Sequence, residues 1–187
     1  MTTLGTMQQV SDGFLLNMAE VSATLIGLFL VGVFFYVETG FRRLGEAREV
    51  LEPYFRAGTR IVLLLYAIPL GLSLTLVVLG LTWNRVLFAA LSLVLLAANV
   101  DSLIRVRGVT RVTGSSVLLV NEVVGSAAVV ALVVTPWALG GLDPTREDLT
   151  WAVLLSFAAG FLSISALMLS AFDTARHDAQ GRQRGAA

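Results

Sequence analysis

The sequence contains no cysteine and no lysine, and its single histidine is His177, near the C-terminus. Without cysteine there can be no disulfide, no thiolate metal ligand and no thiol nucleophile. Haem or transition-metal binding within an apolar helix needs His or Cys, and hydrolysis needs a nucleophile beside an activating base. Because the long apolar segments offer neither arrangement, we expect no enzymatic activity, no cofactor and no metal site.

Charged residues are also scarce, at 14% of 187 residues, whereas hydrophobic residues make up 56%. Soluble domains carry about a quarter charged residues. The apolar excess is concentrated in about five continuous runs, each long enough to cross a hydrocarbon core of about 30 Å as an α-helix. Their lack of two-residue alternation favours helices over strands. The sequence predicts an all-α membrane protein, a bundle of about five transmembrane helices with a short cytoplasmic interfacial helix.

The domain organisation follows from these runs. We predict one transmembrane domain over residues 14–172, after an extracytoplasmic segment 1–13 and before a disordered cytoplasmic tail 173–187. The first apolar run is too long for a signal peptide and lacks a basic flank, so we expect it to be retained. The expected spans are 14–37, 61–82, 86–104, 117–139 and 151–172.

Arginine placement predicts the orientation. Eleven of the 13 cationic residues fall between spans one and two, between three and four, or in the tail, and only Arg85 and Arg146 lie on the opposite side. The positive-inside rule then places the N-terminus outside and the C-terminus in the cytoplasm. All the cationic residues are arginines, and the chain is rich in Ala and Val, a composition typical of a GC-rich bacterial genome. We therefore expect a protein of a bacterial inner membrane. The cytoplasmic arginines would bind anionic lipid head groups. They lack the interleaved aromatics of a nucleic-acid interface, so no nucleic-acid partner is expected.

Residues 41–56 form the one sizeable cytoplasmic connection. Phe41, Leu44 and Leu51 can share a helical face, with charged residues elsewhere. We interpret this segment as an amphipathic helix in the membrane interface, interrupted near Pro53. Either it only anchors the chain or it docks a partner.

Three polar residues of the first span lie on one helical stripe: Asn17, Glu20 and Thr24. Such a face is typical of packing against protein or lining water, because a polar group facing lipid is costly. An apolar surrounding disfavours the charged carboxylate, so we expect Glu20 to be protonated and hydrogen-bonded. Glu20 is therefore the leading candidate for a functional residue in this chain.

The fourth span contains a similar group, Asn121, Glu122 and Ser126. Since the two spans enter from opposite sides, any kinship between them would be an inverted repeat, as in many transporters. These two carboxylates can hold helices together, form a proton or cation pathway, or recognise a ligand. The pattern alone leaves all three open.

Secondary candidates lie on the second and third spans. Asp101 stands four residues before Arg105, a spacing that favours a local salt bridge, and Asn99 is close by. Pro69 is expected to kink the second span and to free a main-chain carbonyl.

The leading functional hypothesis is an oligomeric ion or proton channel or transporter that uses the intramembrane carboxylates. The alternative is a membrane scaffold or accessory subunit in which the acids only hold helices together. In either case we expect a homo-oligomer or another membrane protein as partner, because so small a chain rarely encloses a pathway alone.

Overall fold

The structure, a computed structural model, describes residues 10–40, 48–113 and 116–185. This part of the chain contains no strand. Each of its helices includes a segment long and apolar enough to cross a membrane. The prediction of an all-helical membrane bundle with five spans is therefore confirmed. The helices are α1 (Asp12–Gly40), α2 (Arg48–Val78), α3 (Leu81–Thr113), α4 (Ser116–Gly140) and α5 (Arg146–Gly185).

Three of the helices are longer than a membrane is thick. α2, α3 and α5 have 31, 33 and 40 residues, about 46–60 Å at 1.5 Å per residue. Their extra turns all lie at one end of the bundle, called here the arginine-rich end. The opposite end, called the loop end, holds the start of α1, the α2–α3 turn and the α4–α5 loop.

These extensions differ from what the sequence predicted for two segments. Residues 48–56 are the first turns of α2 and continue through Pro53, and residues 41–47 lie outside the described chain. The tail expected to be disordered continues α5 to Gly185. Its Ala, Gln and Arg residues have good helix propensity, and extending a helix already formed by a span avoids the cost of nucleation.

Side-chain caps fix the loop end. Ser11 Oγ accepts a hydrogen bond from the main-chain N–H of Phe14 (3.2 Å) at the start of α1. At the start of α5, Thr145 and Asp148 form a reciprocal capping box, in which Asp148 accepts from the Thr145 N–H at 2.8 Å and Thr145 Oγ1 from the Asp148 N–H at 3.3 Å. This cap starts α5 at Arg146, five residues before the predicted span.

Two ion pairs tie the same end together across the fold. Arg85 donates to Asp143 at 2.7 Å and to the Pro144 carbonyl at 3.0 Å, which joins the start of α3 to the α4–α5 loop. Arg146 pairs with Asp12, which joins α5 to α1. The two arginines that the sequence places apart from the other eleven are thus both paired with aspartates.

α2 is the centre of the bundle. Half of its apolar segment is buried (50%), against 11% for α1. α1, α3 and α5 pack on α2, and α4 packs on α3 and α5. One core cluster, towards the loop end, joins α1, α2, α3 and α5 around Leu72 and Phe88, and a second joins α2, α3, α4 and α5 around Leu65 and Leu132.

A close approach between α2 and α5 depends on Gly160. A Cβ at this position would lie 2.8 Å from Cζ of Tyr66, whose ring is fully buried against Phe157 and Phe161. Gly160→Ala should therefore destabilise the bundle by about 1–3 kcal/mol, because the ring has no free space to enter. The free energy of unfolding in mixed micelles measures this.

Gly125→Ala is the matched control for that substitution. A Cβ at Gly125 meets nothing within 4 Å, so the added methyl should leave stability unchanged or raise it slightly through helix propensity. Equal effects of the two substitutions would contradict the packing of Tyr66 on Gly160.

Candidate functional site

The polar stripe of α1 lies on the outer surface of the bundle. Asn17, Glu20 and Thr24 are all exposed, whereas Leu15 and Ser22 on the opposite face are buried against the other helices. The sequence predicted a face packed on protein or lining water. Within one chain no other described helix covers this face, and Glu20 lies at its middle.

The carboxyl of Glu20 has no hydrogen-bond or ion-pair partner among the residues that the structure describes. Its neighbour Thr24 donates to the Glu20 main-chain carbonyl at 2.9 Å, an ordinary intrahelical bond that leaves the carboxyl untouched. Glu20 lies eight residues into α1, a depth of about 12 Å. A carboxyl at this depth on a lipid-facing surface is costly, whatever its protonation state.

The exposed surface of the other spans is apolar at the same depths. Counted inward from the loop end, the exposed positions level with the stripe are Val, Leu, Ala and Trp on α3, α4 and α5, and α2 has none there. The residues are Val86, Ala89, Ala90, Leu93, Val130, Ala131, Val134, Trp151, Leu154 and Ala158. Thr135 of α4 is partly exposed at this level, and its hydroxyl donates to the Ala131 carbonyl of its own helix at 2.7 Å. The stripe is thus a polar island on an otherwise apolar belt.

Pro69 is buried in the middle of α2, where it frees a main-chain carbonyl. A proline has no N–H, so the carbonyl of Leu65, four residues earlier, receives no helical hydrogen bond. Ser156 of α5 donates its hydroxyl to this carbonyl. A neighbouring helix thereby satisfies the polar group that the proline exposes inside the membrane. Ser22 of α1 adds a bond to the next carbonyl in the same turn, that of Tyr66.

Sequence reasoning predicted the free carbonyl and missed the two serines that bond this turn. Ser22 and Ser156 are each ten residues into their helices from the loop end, so they lie at about the same depth as one another. The depth match is a signal present in the sequence. It does not select these two serines without knowledge of which helices pack on α2.

In the second candidate group, on α4, Ser126 contacts another candidate residue, Asn99 of α3. Ser126 of α4 donates to Asn99 Oδ1 on α3 at 3.1 Å, with Asn99 buried. Glu122 lies one turn from Ser126 towards the arginine-rich end, is half-buried, and has no partner among the described side chains. Asn121 precedes it in α4, but its side chain is outside what the structure describes.

The remaining candidate forms a local ion pair. Asp101 accepts from Arg105 Nε at 2.9 Å, and both side chains are about 42% exposed. Arg60 of α2 is close enough to add to the positive field at Asp101. This pair is positioned to hold the end of the α3 span near the head groups, and it makes no contact with Asn99 that the structure records.

The two glutamates do not share a site within one protomer. α1 packs chiefly on α2, whereas α4 packs on α3 and α5. Over the described ranges no three His, Asp or Glu side chains are grouped so that they could hold a metal ion. Any chemistry that uses both carboxyls therefore needs more than one copy or two separate steps.

The role of Ser156 can be isolated with a double-mutant cycle. Ser156→Ala should cost about 0.5–2 kcal/mol of unfolding free energy, because it leaves the Leu65 carbonyl unpaired in an apolar surrounding. In a Pro69→Ala background the restored N–H satisfies that carbonyl, so the same substitution should cost little. Ser73→Ala is the control, since the buried Ser73 hydroxyl has no partner among the described residues. Identical costs of Ser156→Ala in both backgrounds would refute the assignment.

No protein-family model, curated protein or solved structure matches this chain.

Proposed function

We propose that this is a multi-pass protein of a bacterial cytoplasmic membrane that works as an oligomer and moves protons or cations by way of Glu20. The N-terminus would be outside and the C-terminus in the cytoplasm. The arginine distribution supports this orientation. Ion pairing at the loop end adds to it, since Arg85 and Arg146 are both paired with aspartates. The net positive charge is thus concentrated at the arginine-rich end.

The observation that carries the proposal is the position of Glu20. Its carboxyl has no partner among the residues that the structure describes, and an ionisable group within a membrane span is retained at a cost and is commonly functional. A carboxyl can take up a proton or a small cation and release it again. Asn17 and Thr24 extend the polar surface along the helix on both sides of it.

A route between copies fits this bundle better than a route through it. The space between α2, α3 and α5 is filled by the two core clusters, whose members include the fully buried Phe88, Leu72 and Leu65. The stripe faces outward, so it can line a pathway only where another molecule covers it. Glu122 lies on α4, which packs on α3 and α5, so it lies away from a pathway along α1.

The second candidate function is that of a scaffold or accessory subunit. The bonds of Ser22, Ser156 and Ser126 join helices without involving a carboxyl. A protein that only needs to hold a partner could use Glu20 in the same way, as a hydrogen-bonding group between chains. Glu20→Gln would then be harmless and Glu20→Leu would abolish assembly.

Proton and cation flux in reconstituted liposomes separates the two functions. Glu20→Gln keeps the shape and hydrogen-bonding capacity of the side chain but cannot exchange a proton, so flux should fall to the level of protein-free liposomes. Glu122→Gln should keep most of the flux, because Glu122 lies away from the α1 stripe. The matched control is Glu38→Gln, an exposed carboxylate beyond the apolar segment of the same helix, which should keep full flux. Full flux in Glu20→Gln, or none in the unaltered protein, would rule out the transport proposal.

A further inference from the structure

The outward face of α1 needs a polar partner, and the described residues of the chain provide none. We infer that this partner is the same face of a second copy, so that two α1 helices pack side by side with their Glu20 residues in contact. This inference deepens the proposed function by naming the interface of its oligomer, and it can be tested separately from transport.

Complementarity argues for α1 on both sides of the interface. A second copy could offer α1, α3, α4 or α5 to the stripe, because these helices have exposed surface at its depth. At the depth of Glu20 only α1 exposes a polar side chain. The polar groups of the other three, the Trp151 indole and the partly exposed Thr135, lie level with Asn17, and the Thr135 hydroxyl already donates to the Ala131 carbonyl at 2.7 Å. Packing the stripe on any of the other three would bury the Glu20 carboxyl without a partner, which costs more than leaving it at the lipid surface.

Membrane topology fixes the symmetry of the pair. Copies of one chain share one orientation in the membrane, so a closed pair has its twofold axis along the membrane normal. The two α1 helices are then parallel and each residue meets its own counterpart at the same depth. Glu20 meets Glu20, with Asn17 and Thr24 of both copies on either side.

The side chains on this face permit a close approach. Gly13 and Gly27 lie on the same stripe, and a Cβ at either would meet nothing within 4 Å in the protomer. Small residues at such spacings allow helix backbones to come together in membranes, where close van der Waals packing is the main attraction. The stripe therefore combines polar groups at its centre with glycines towards both ends.

The two carboxyls are compatible when at least one is protonated. A carboxylic acid donates its O–H to the carboxylate of the other copy, so one proton is shared and one negative charge remains. If both are protonated, each donates to the carbonyl oxygen of the other. The Asn17 amides can donate to the remaining lone pairs. Uptake or release of the shared proton is the step that would link this interface to transport.

Single cysteines in this naturally cysteine-free chain test the pairing. Thr24→Cys places a thiol on the stripe, and Ala158→Cys and Leu93→Cys place one at the same depth on the exposed faces of α5 and α3. In purified protein in liposomes, oxidation should cross-link Thr24→Cys into dimers about tenfold faster or more than either control, because pre-paired thiols react as neighbours. Adding Glu20→Gln should preserve cross-linking and adding Glu20→Leu should abolish it.

Three outcomes overturn the inference. If Thr24→Cys cross-links no faster than the controls, α1 does not pair with itself. If it cross-links in native membranes only to a different protein, the occupant is another chain. If Glu20→Leu pairs as well as the unaltered side chain, Glu20 does not hold the interface. Rapid cross-linking without flux would support the pairing of α1 helices and refute transport. Flux without cross-linking would support transport and refute the pairing.

Discussion

The hydrocarbon core of a membrane provides no water, so every polar group within it must find its partner on protein. This constraint decides where the helices of the bundle can pack and where the bundle is incomplete. It is met at Pro69, where serines of α1 and α5 bond the carbonyls of Leu65 and Tyr66. The described residues offer no such partner to the Glu20 carboxyl, and the buried hydroxyls of Tyr66, Ser73 and Ser92 lack one as well. One physical rule thus accounts both for the packing of the protomer and for its expected association.

Pro69 explains why α2 is central. A proline in the middle of a span leaves a polar main-chain group that lipid cannot satisfy, so α2 is stable only where other helices cover that turn. α1 and α5 supply the hydroxyls, and Gly160 allows α5 to come close enough for Tyr66 to pack against its backbone. Beyond these contacts, the Asp12–Arg146 and Arg85–Asp143 pairs fix the helix ends at the loop end. α1 is thereby fixed along one side only, and its polar stripe is left outside.

Much of this architecture could be predicted from the sequence because it follows from length and hydropathy. Five apolar runs predict five spans, and the lack of a donor at Pro69 predicts a free carbonyl. The serine that satisfies it could not be predicted, because its role depends on which helices are neighbours. The direction in which Glu20 faces could not be predicted for the same reason. The spacing of the residues reveals the stripe, but its exposure depends on which face of α1 packs on α2, and that face carries the buried Leu15, Ala19 and Ser22. The capping box of Thr145 and Asp148 is visible in the sequence, and it explains why α5 begins at Arg146, before the predicted span.

The central claim is that a second copy covers the Glu20 face in the membrane. The most direct test is the distance between spin labels attached at position 24 in two copies, measured by double electron–electron resonance in liposomes. Paired helices lie about 8–10 Å apart. The account therefore predicts an interspin distance below about 20 Å between labels at position 24, and no distance this short between labels at position 158, which lies at the same depth. An absence of any short distance at position 24, with the label as accessible to oxygen as one at position 158, would contradict it.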